Sequence, residues 1–297
     1  MTSTWNIREK TVLVTGGTGG IGYETARGLT ARGAKVIVVG RNAARGAAVV
    51  KSIQHQTGST TSSFLQADLS DLSEIRRLAE HITTHSAQLH VLVNNAAAQF
   101  GQREVTIDGL EATLATTHLS PFLLTELLLP LLKASAPARI VNVNSLAHRS
   151  AQMDFDDLQS TKNYSTMGAY AQAKLANLLT SYELARQLSG TQVQVNVADP
   201  LGAADTDMAK KNGNAQDFRK KLGMSLLSIM LNSKRAAKSS IYLASSPDVT
   251  FTGKYVDSHC KIVASSPISY DEAIAKKVWQ VSAALTHWKG EGSELEV

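Results

Sequence analysis

The chain has 297 residues (31.8 kDa), of which 43% are hydrophobic and 19% charged, and its mean hydropathy is -0.09. That is globular composition at a length able to bury a substantial core, which excludes a disordered chain, a collagen-like fibre and a coiled coil. The one cysteine, Cys260, excludes an intrachain disulfide and a four-cysteine zinc site.

Residues 1–10 lack the apolar core of a secretory signal. The first strand is predicted at 11–14, and it runs into Thr15-Gly16-Gly17-Thr18-Gly19-Gly20-Ile21-Gly22, where a helix starts. Glycines let the backbone turn tightly and come close to a ligand, and a helix N-terminus offers free N–H groups to a pyrophosphate. Set between a first strand and a first helix, this turn points to dinucleotide binding. The second strand, 35–39, ends in Val39-Gly40-Arg41-Asn42. An acid there would hold a ribose 2′-hydroxyl; the cation Arg41 instead suits a 2′-phosphate, unless it is simply a solvated first-turn residue. NADP(H) is therefore the preferred cofactor, with NAD(H) possible.

The third strand, 62–66, leads into Ala67-Asp68-Leu69, where Asp68 could cap the next helix or accept from an adenine amino group. The fourth, 91–93, ends in Asn94-Asn95-Ala96, whose small Ala96 and Ala97 leave room for a flat ring system. The apolar run 119–132 is about 14 residues, too short to span a bilayer, and it contains Pro121, Glu126 and Pro130. It predicts a buried helix in a cytoplasmic protein. Strands follow at 139–143, ending near Ser145, at 192–197 and at 254–256. Strands and helices in alternation predict an α/β, doubly wound parallel sheet covered on both faces. Without an interior linker or repeat, residues 1–297 are expected to form one domain. A C-terminal helix within 270–289, with Ile274, Val278, Val281, Leu285 and Trp288 on one stripe, is expected to dock on the body.

Tyr170 and Lys174 lie four apart on a predicted helix, hence on one face. An ammonium beside a phenol lowers its pKa, and a serine hydroxyl at the end of a strand can hydrogen-bond a substrate oxygen. Taken with Thr15-Gly16-x-x-x-Gly20-x-Gly22, Asp68 and Asn94-Asn95-Ala96, these residues make the chain resemble the short-chain dehydrogenases/reductases from about Lys10 to the C-terminal helix. Within that superfamily it is most similar to the retinol-dehydrogenase-like group and the related WW-domain oxidoreductase. The residues that carry this are Arg139-Ile-Val-Asn-Val, Ser145-Leu-Ala-His, the long segment from Ser145 to Tyr170, Gly253-Lys-Tyr and Ser269-Tyr-Asp-Glu.

The resemblance implies a Rossmann-type fold and a hydride transfer in which Tyr170 exchanges a proton with the substrate oxygen. Ser145 would position that oxygen, and Lys174 would lower the Tyr170 pKa and hold the nicotinamide ribose. The implied cofactor contacts are Gly16, Thr18, Gly20, Ile21, Gly22, Arg41, Asp68, Leu69, Asn95, Ala96, Tyr170, Lys174, Pro200, Gly202 and Thr206. It also implies a homo-oligomer, dimer or tetramer, paired through the helices of the fifth and sixth crossovers. Two departures stand out. The family's fourth catalytic residue, an asparagine holding a water, is replaced by Thr117, whose hydroxyl could hold a water with shorter reach. The family's Pro-Gly reads Pro200-Leu201-Gly202, as if Leu201 were inserted.

Between Lys210 and Lys238 lie eight basic residues against Asp217, a net +7, which leaves -2 for the rest. The segment 207–232, with Leu226, Leu227, Met230 and Leu231, is expected to be a lid over a lipophilic substrate. A helix packed on its own domain or at a subunit interface is the second reading, and an interfacial membrane helix the third. No nucleic-acid motif accompanies the charge. The function expected is oxidoreduction of a lipophilic ketone, aldehyde or alcohol. A catalytically impaired cofactor-binding sensor and a secondary-metabolite tailoring ketoreductase or dehydrogenase are the alternatives.

Overall fold

The computed structural model of the chain describes residues 5–200 and 233–290. Strand and helix alternate: β1 (Thr11–Thr15), α1 (Gly20–Thr30), β2 (Lys35–Gly40), α2 (Ala43–Thr57), β3 (Ser63–Gln66), α3 (Leu72–His85) and β4 (Val91–Asn94). Then come α4 (Ala112–Ala134), β5 (Ala138–Val143), α5 (Thr166–Gln187), β6 (Val193–Ala198), α6 (Lys238–Ser245), β7 (Tyr255–Val256) and α7 (Glu272–Leu285). Every predicted strand lies within one residue of an observed one at each end.

All seven strands are parallel, in the order β3-β2-β1-β4-β5-β6-β7. The order reverses between β1 and β4, so a crevice opens above their carboxyl ends, where open sheets of this kind bind ligands. Continuous runs such as Lys-Val-Ile-Val-Val-Gly in β2 suit strands covered on both faces. Val12 and Val14 pack beneath α1, α2 and α6, whereas Leu13 points to the opposite layer with α3 and α4. Side chains strictly alternate along a strand, so one apolar run feeds two cores.

Two expectations change in detail. The apolar run belongs to a 23-residue helix rather than one of about 14, because the Glu111 carboxylate caps its start by accepting from Thr113 and Leu114 N–H. It is the one helix among the described residues long and apolar enough to cross a membrane, yet 72% of its most apolar window is buried inside the protein. On α7 the buried stripe is Ala275, Val278, Trp279, Ser282 and Ala283, about one residue round from the predicted stripe. Small residues let α7 close on Leu175, Ala176 and Leu179 of α5, and Trp279 meets Phe122 edge to face with 5.0 Å between ring centroids. The helix therefore packs against both α4 and α5.

Candidate active site

β1 delivers the chain into the glycine turn, with Gly16 at φ +63° and Gly20 at φ +51°, the left-handed region that favours glycine. At Gly22 a Cβ would strike the Gly16 carbonyl oxygen, so the turn and α1 close on each other only without one. Asn95 holds this turn from below. Its Nδ2 donates to the Thr15 and Gly16 carbonyls (2.9 and 3.3 Å), while Thr15 Oγ1 accepts from the Asn95 and Ala96 N–H groups (3.0 and 3.1 Å).

Above the turn lies a cavity of about 570 Å³. Gly16, Thr18, Gly20, Ile21, Gly22, Arg41, Asp68, Leu69, Asn95 and Ala96 all line it, which brings together ten of the residues expected to meet a cofactor. α1 starts at its edge with no side-chain cap, so its first N–H groups are available to an anion. The uncapped helix, the glycine cradle and the two cations Arg41 and Arg45 together fit a dinucleotide. A larger hollow of about 880 Å³ sits beside Trp5, Arg32 and Tyr242. Its lining holds none of these motifs, so size alone does not make it the site.

Arg45 was not singled out by sequence, although it lies one helical turn after Arg41. Asn42 caps α2 by accepting from Arg45 N–H, and the Arg45 side chain reaches back so that Nε donates to the Thr18 carbonyl at 2.9 Å. Asp68 caps no helix. Its Oδ1 accepts from Ser70 N–H and Oγ (2.9 and 2.7 Å), and the cap of α3 is Asp71.

β5 places Asn144 and Ser145 at the same edge of the sheet. Asn144 Oδ1 accepts from Ser145 N–H, and its Nδ2 donates to the Lys174 carbonyl, tying the strand end to α5. His148 accepts from Ser266 N–H at Nε2, which assigns the proton to Nδ1, 2.6 Å from the Ser145 carbonyl. Burial lowers its pKa, so the ring is a neutral brace for Ser145.

On α5, Lys174 is 2% exposed, and its Nζ donates to the Val143 carbonyl at 2.8 Å and lies 5.7 Å from the Tyr170 ring centroid. Burial pushes the Lys174 ammonium down to about 7. Burial also pushes the Tyr170 phenol up, a hydrogen bond with the Ser145 hydroxyl pulls it partly back, and the charge of Asp199 raises it further. The expected lowering of Tyr170 by Lys174 is thus not realised in the chain alone. The ammonium is turned onto a backbone carbonyl, and an amine titrating near 7 is only partly charged at neutral pH. Asp199, fully buried, accepts from Tyr255 Oη at 2.9 Å. Sequence assigns no role to Asp199, and His148 enters it only as the last residue of Ser145-Leu-Ala-His; the fold is what brings each to the site.

Thr117 is fully buried, and its Oγ1 donates to the Ala98 carbonyl and accepts from the Ala98 N–H, each at 3.1 Å. The hydroxyl is thereby bonded in both senses to the loop after β4. Pro200 follows β6 and is half-buried. Leu201, Gly202, Thr206 and the segment 207–232 lie outside the described residues.

The short chain dehydrogenase family model matches residues 10–217. Human "Retinol dehydrogenase 13" is 39% identical over 280 residues, covering 93% of this chain and 84% of its own. Human "Polyprenol dehydrogenase" is 37% identical, covering 94% and 85%. Among solved structures, an uncharacterised protein from Mycobacterium paratuberculosis superposes with TM-score 0.77 at 29% identity over 95% of both chains. The Pseudomonas aeruginosa "RhlG/NADP active-site complex" does so with TM-score 0.64 at 29% identity, covering 86% of this chain and 97% of its own.

Proposed function

The chain belongs to the short-chain dehydrogenase family and is an oxidoreductase acting between CH–OH and C=O; from that premise we propose that it uses NADP(H) to reduce a lipophilic aldehyde or ketone. When bound, the nicotinamide supplies the hydride. Tyr170 Oη donates the proton to the substrate oxygen, and Ser145 Oγ hydrogen-bonds that oxygen. Lys174 Nζ lies behind the phenol and would turn from the Val143 carbonyl to the ribose. The observation that carries this reading is Tyr170 beside the buried Lys174 on α5, with Ser145 at the end of β5 and the glycine cradle at the carboxyl end of β1 in the same parallel sheet.

Three features support the finer points. Burial keeps Tyr170 protonated at neutral pH, which suits an acid and therefore the direction of carbonyl reduction. Arg41 and Arg45 border the cavity where a 2′-phosphate would lie. Relatives bear the names of retinol and polyprenol, both lipophilic alcohols.

The test is loss of 340 nm absorbance from NADPH with all-trans-retinal and a panel of lipophilic ketones and aldehydes, with Tyr170→Phe alongside. General acid catalysis is worth about 10²–10⁴ in rate, so the variant should fall below about a tenth of the wild-type rate while still binding NADPH. A variant above that level refutes the role of Tyr170. NADPH binding without turnover of any carbonyl would favour an idle cofactor sensor.

A further inference from the structure

Within α4 the turn Ala115–Leu119 is π-helical, and the Ser120 N–H reaches back five residues to the Ala115 carbonyl. Pro121 follows, and it has no N–H to give the carbonyl four residues before it, that of Thr117. Thr117 is fully buried, so this carbonyl needs a donor from elsewhere. It finds one in Asn177, whose Nδ2 donates to the Thr117 oxygen at 3.1 Å.

Asn177 lies on α5, three residues after Lys174 and so on the same flank of the helix. Because the Thr117 hydroxyl is bonded both ways to Ala98, an unbroken path runs from the cavity-lining loop through Thr117 and Asn177 to the helix of Tyr170 and Lys174. The helix end of that path is braced as well. Ser181 Oγ donates to the Asn177 carbonyl at 2.6 Å and accepts from Asn142 Nδ2 at 2.8 Å, and Asn142 Oδ1 accepts from Asn94 Nδ2 at 2.8 Å. The ends of β4 and β5, the bulge of α4 and the catalytic helix are thereby joined by buried side-chain bonds.

We propose that Asn177 is a positioning residue for the oxidoreduction, the cross-link that sets the spacing between the Tyr170–Lys174 helix and the loop bearing Ala96 to Ala98. The inference rests on the function proposed above. A misplacement of about 1 Å can cost about 10²-fold in rate. Asn177→Ala should therefore lower kcat for the carbonyl reduced best in the panel by about 10- to 100-fold. Since Asn177 touches no cofactor in this scheme, the NADPH dissociation constant by fluorescence titration and the carbonyl KM should stay within about twofold.

Adding Pro121→Ala separates positioning from mere satisfaction of a buried carbonyl, because it returns a backbone N–H to α4 without restoring the link to α5. Under the proposal kcat of the double variant stays low. Recovery of kcat would overturn it, as would an Asn177→Ala enzyme with wild-type kcat. If Asn177→Ala does not fold, Asn177→Ser decides by the same comparison. A wild type that neither binds NADPH nor reduces any carbonyl overturns the oxidoreductase reading itself, whereas a wild type that does both, with variants that match it, overturns only the role of Asn177.

Discussion

Glu126 lies on α4 with 7% of its surface exposed, and its Oε1 has no hydrogen-bond partner among the described residues. It borders a cavity of about 20 Å³ with His118, Thr125 and Trp279. Burial pushes its carboxyl from 4.5 up to about 7, and the Lys133 ammonium offsets only part of that. Between those two values the folded chain holds a proton that the unfolded chain has released. The favourable contribution is therefore complete below about 4.5 and is lost as pH rises through about 7. At 1.36 kcal/mol per pH unit the loss is about 3 kcal/mol. Glu126→Gln keeps the shape and removes the titration, so it should gain about 3 kcal/mol over the wild type between pH 4.5 and pH 8.5. Urea unfolding midpoints of both proteins across that range measure the difference. Parallel curves would refute the reasoning, because they would mean that Glu126 ionises normally in the folded chain.

Two further outcomes concern the cofactor cradle. Gly22→Ala puts a Cβ against the Gly16 carbonyl oxygen, so NADPH binding by fluorescence should weaken by at least about tenfold while the far-ultraviolet circular dichroism is kept. Unchanged binding would mean that the turn does not hold the dinucleotide. Arg41→Ala and Arg45→Ala should each weaken NADPH binding by about five- to tenfold, a discounted figure for exposed charge-assisted bonds, and leave NADH binding unchanged. Equal losses for both cofactors would remove the 2′-phosphate assignment.

Much of this protein is legible in the sequence because its signals are local. Strand ends are set by short β-branched runs and by glycine, and the turn Gly16 to Gly22 needs residues without a Cβ wherever it is found. The four-residue spacing of Tyr170 and Lys174 likewise places both on one helical face. What only the tertiary structure decided concerns partners distant in the chain. Asn95 proves to brace the turn, and the Thr117 hydroxyl is taken by Ala98. The buried stripe of α7 is chosen by the small residues that fit α5. The charge on Lys174 and the proton on Tyr170 follow from burial and from Asp199, which no local pattern encodes. Periodicity and spacing report which face a residue occupies. Its hydrogen-bond partner and its pKa depend on what the fold packs against that face, and Asn177 meets the carbonyl that Pro121 leaves unpaired only once α4 and α5 are side by side.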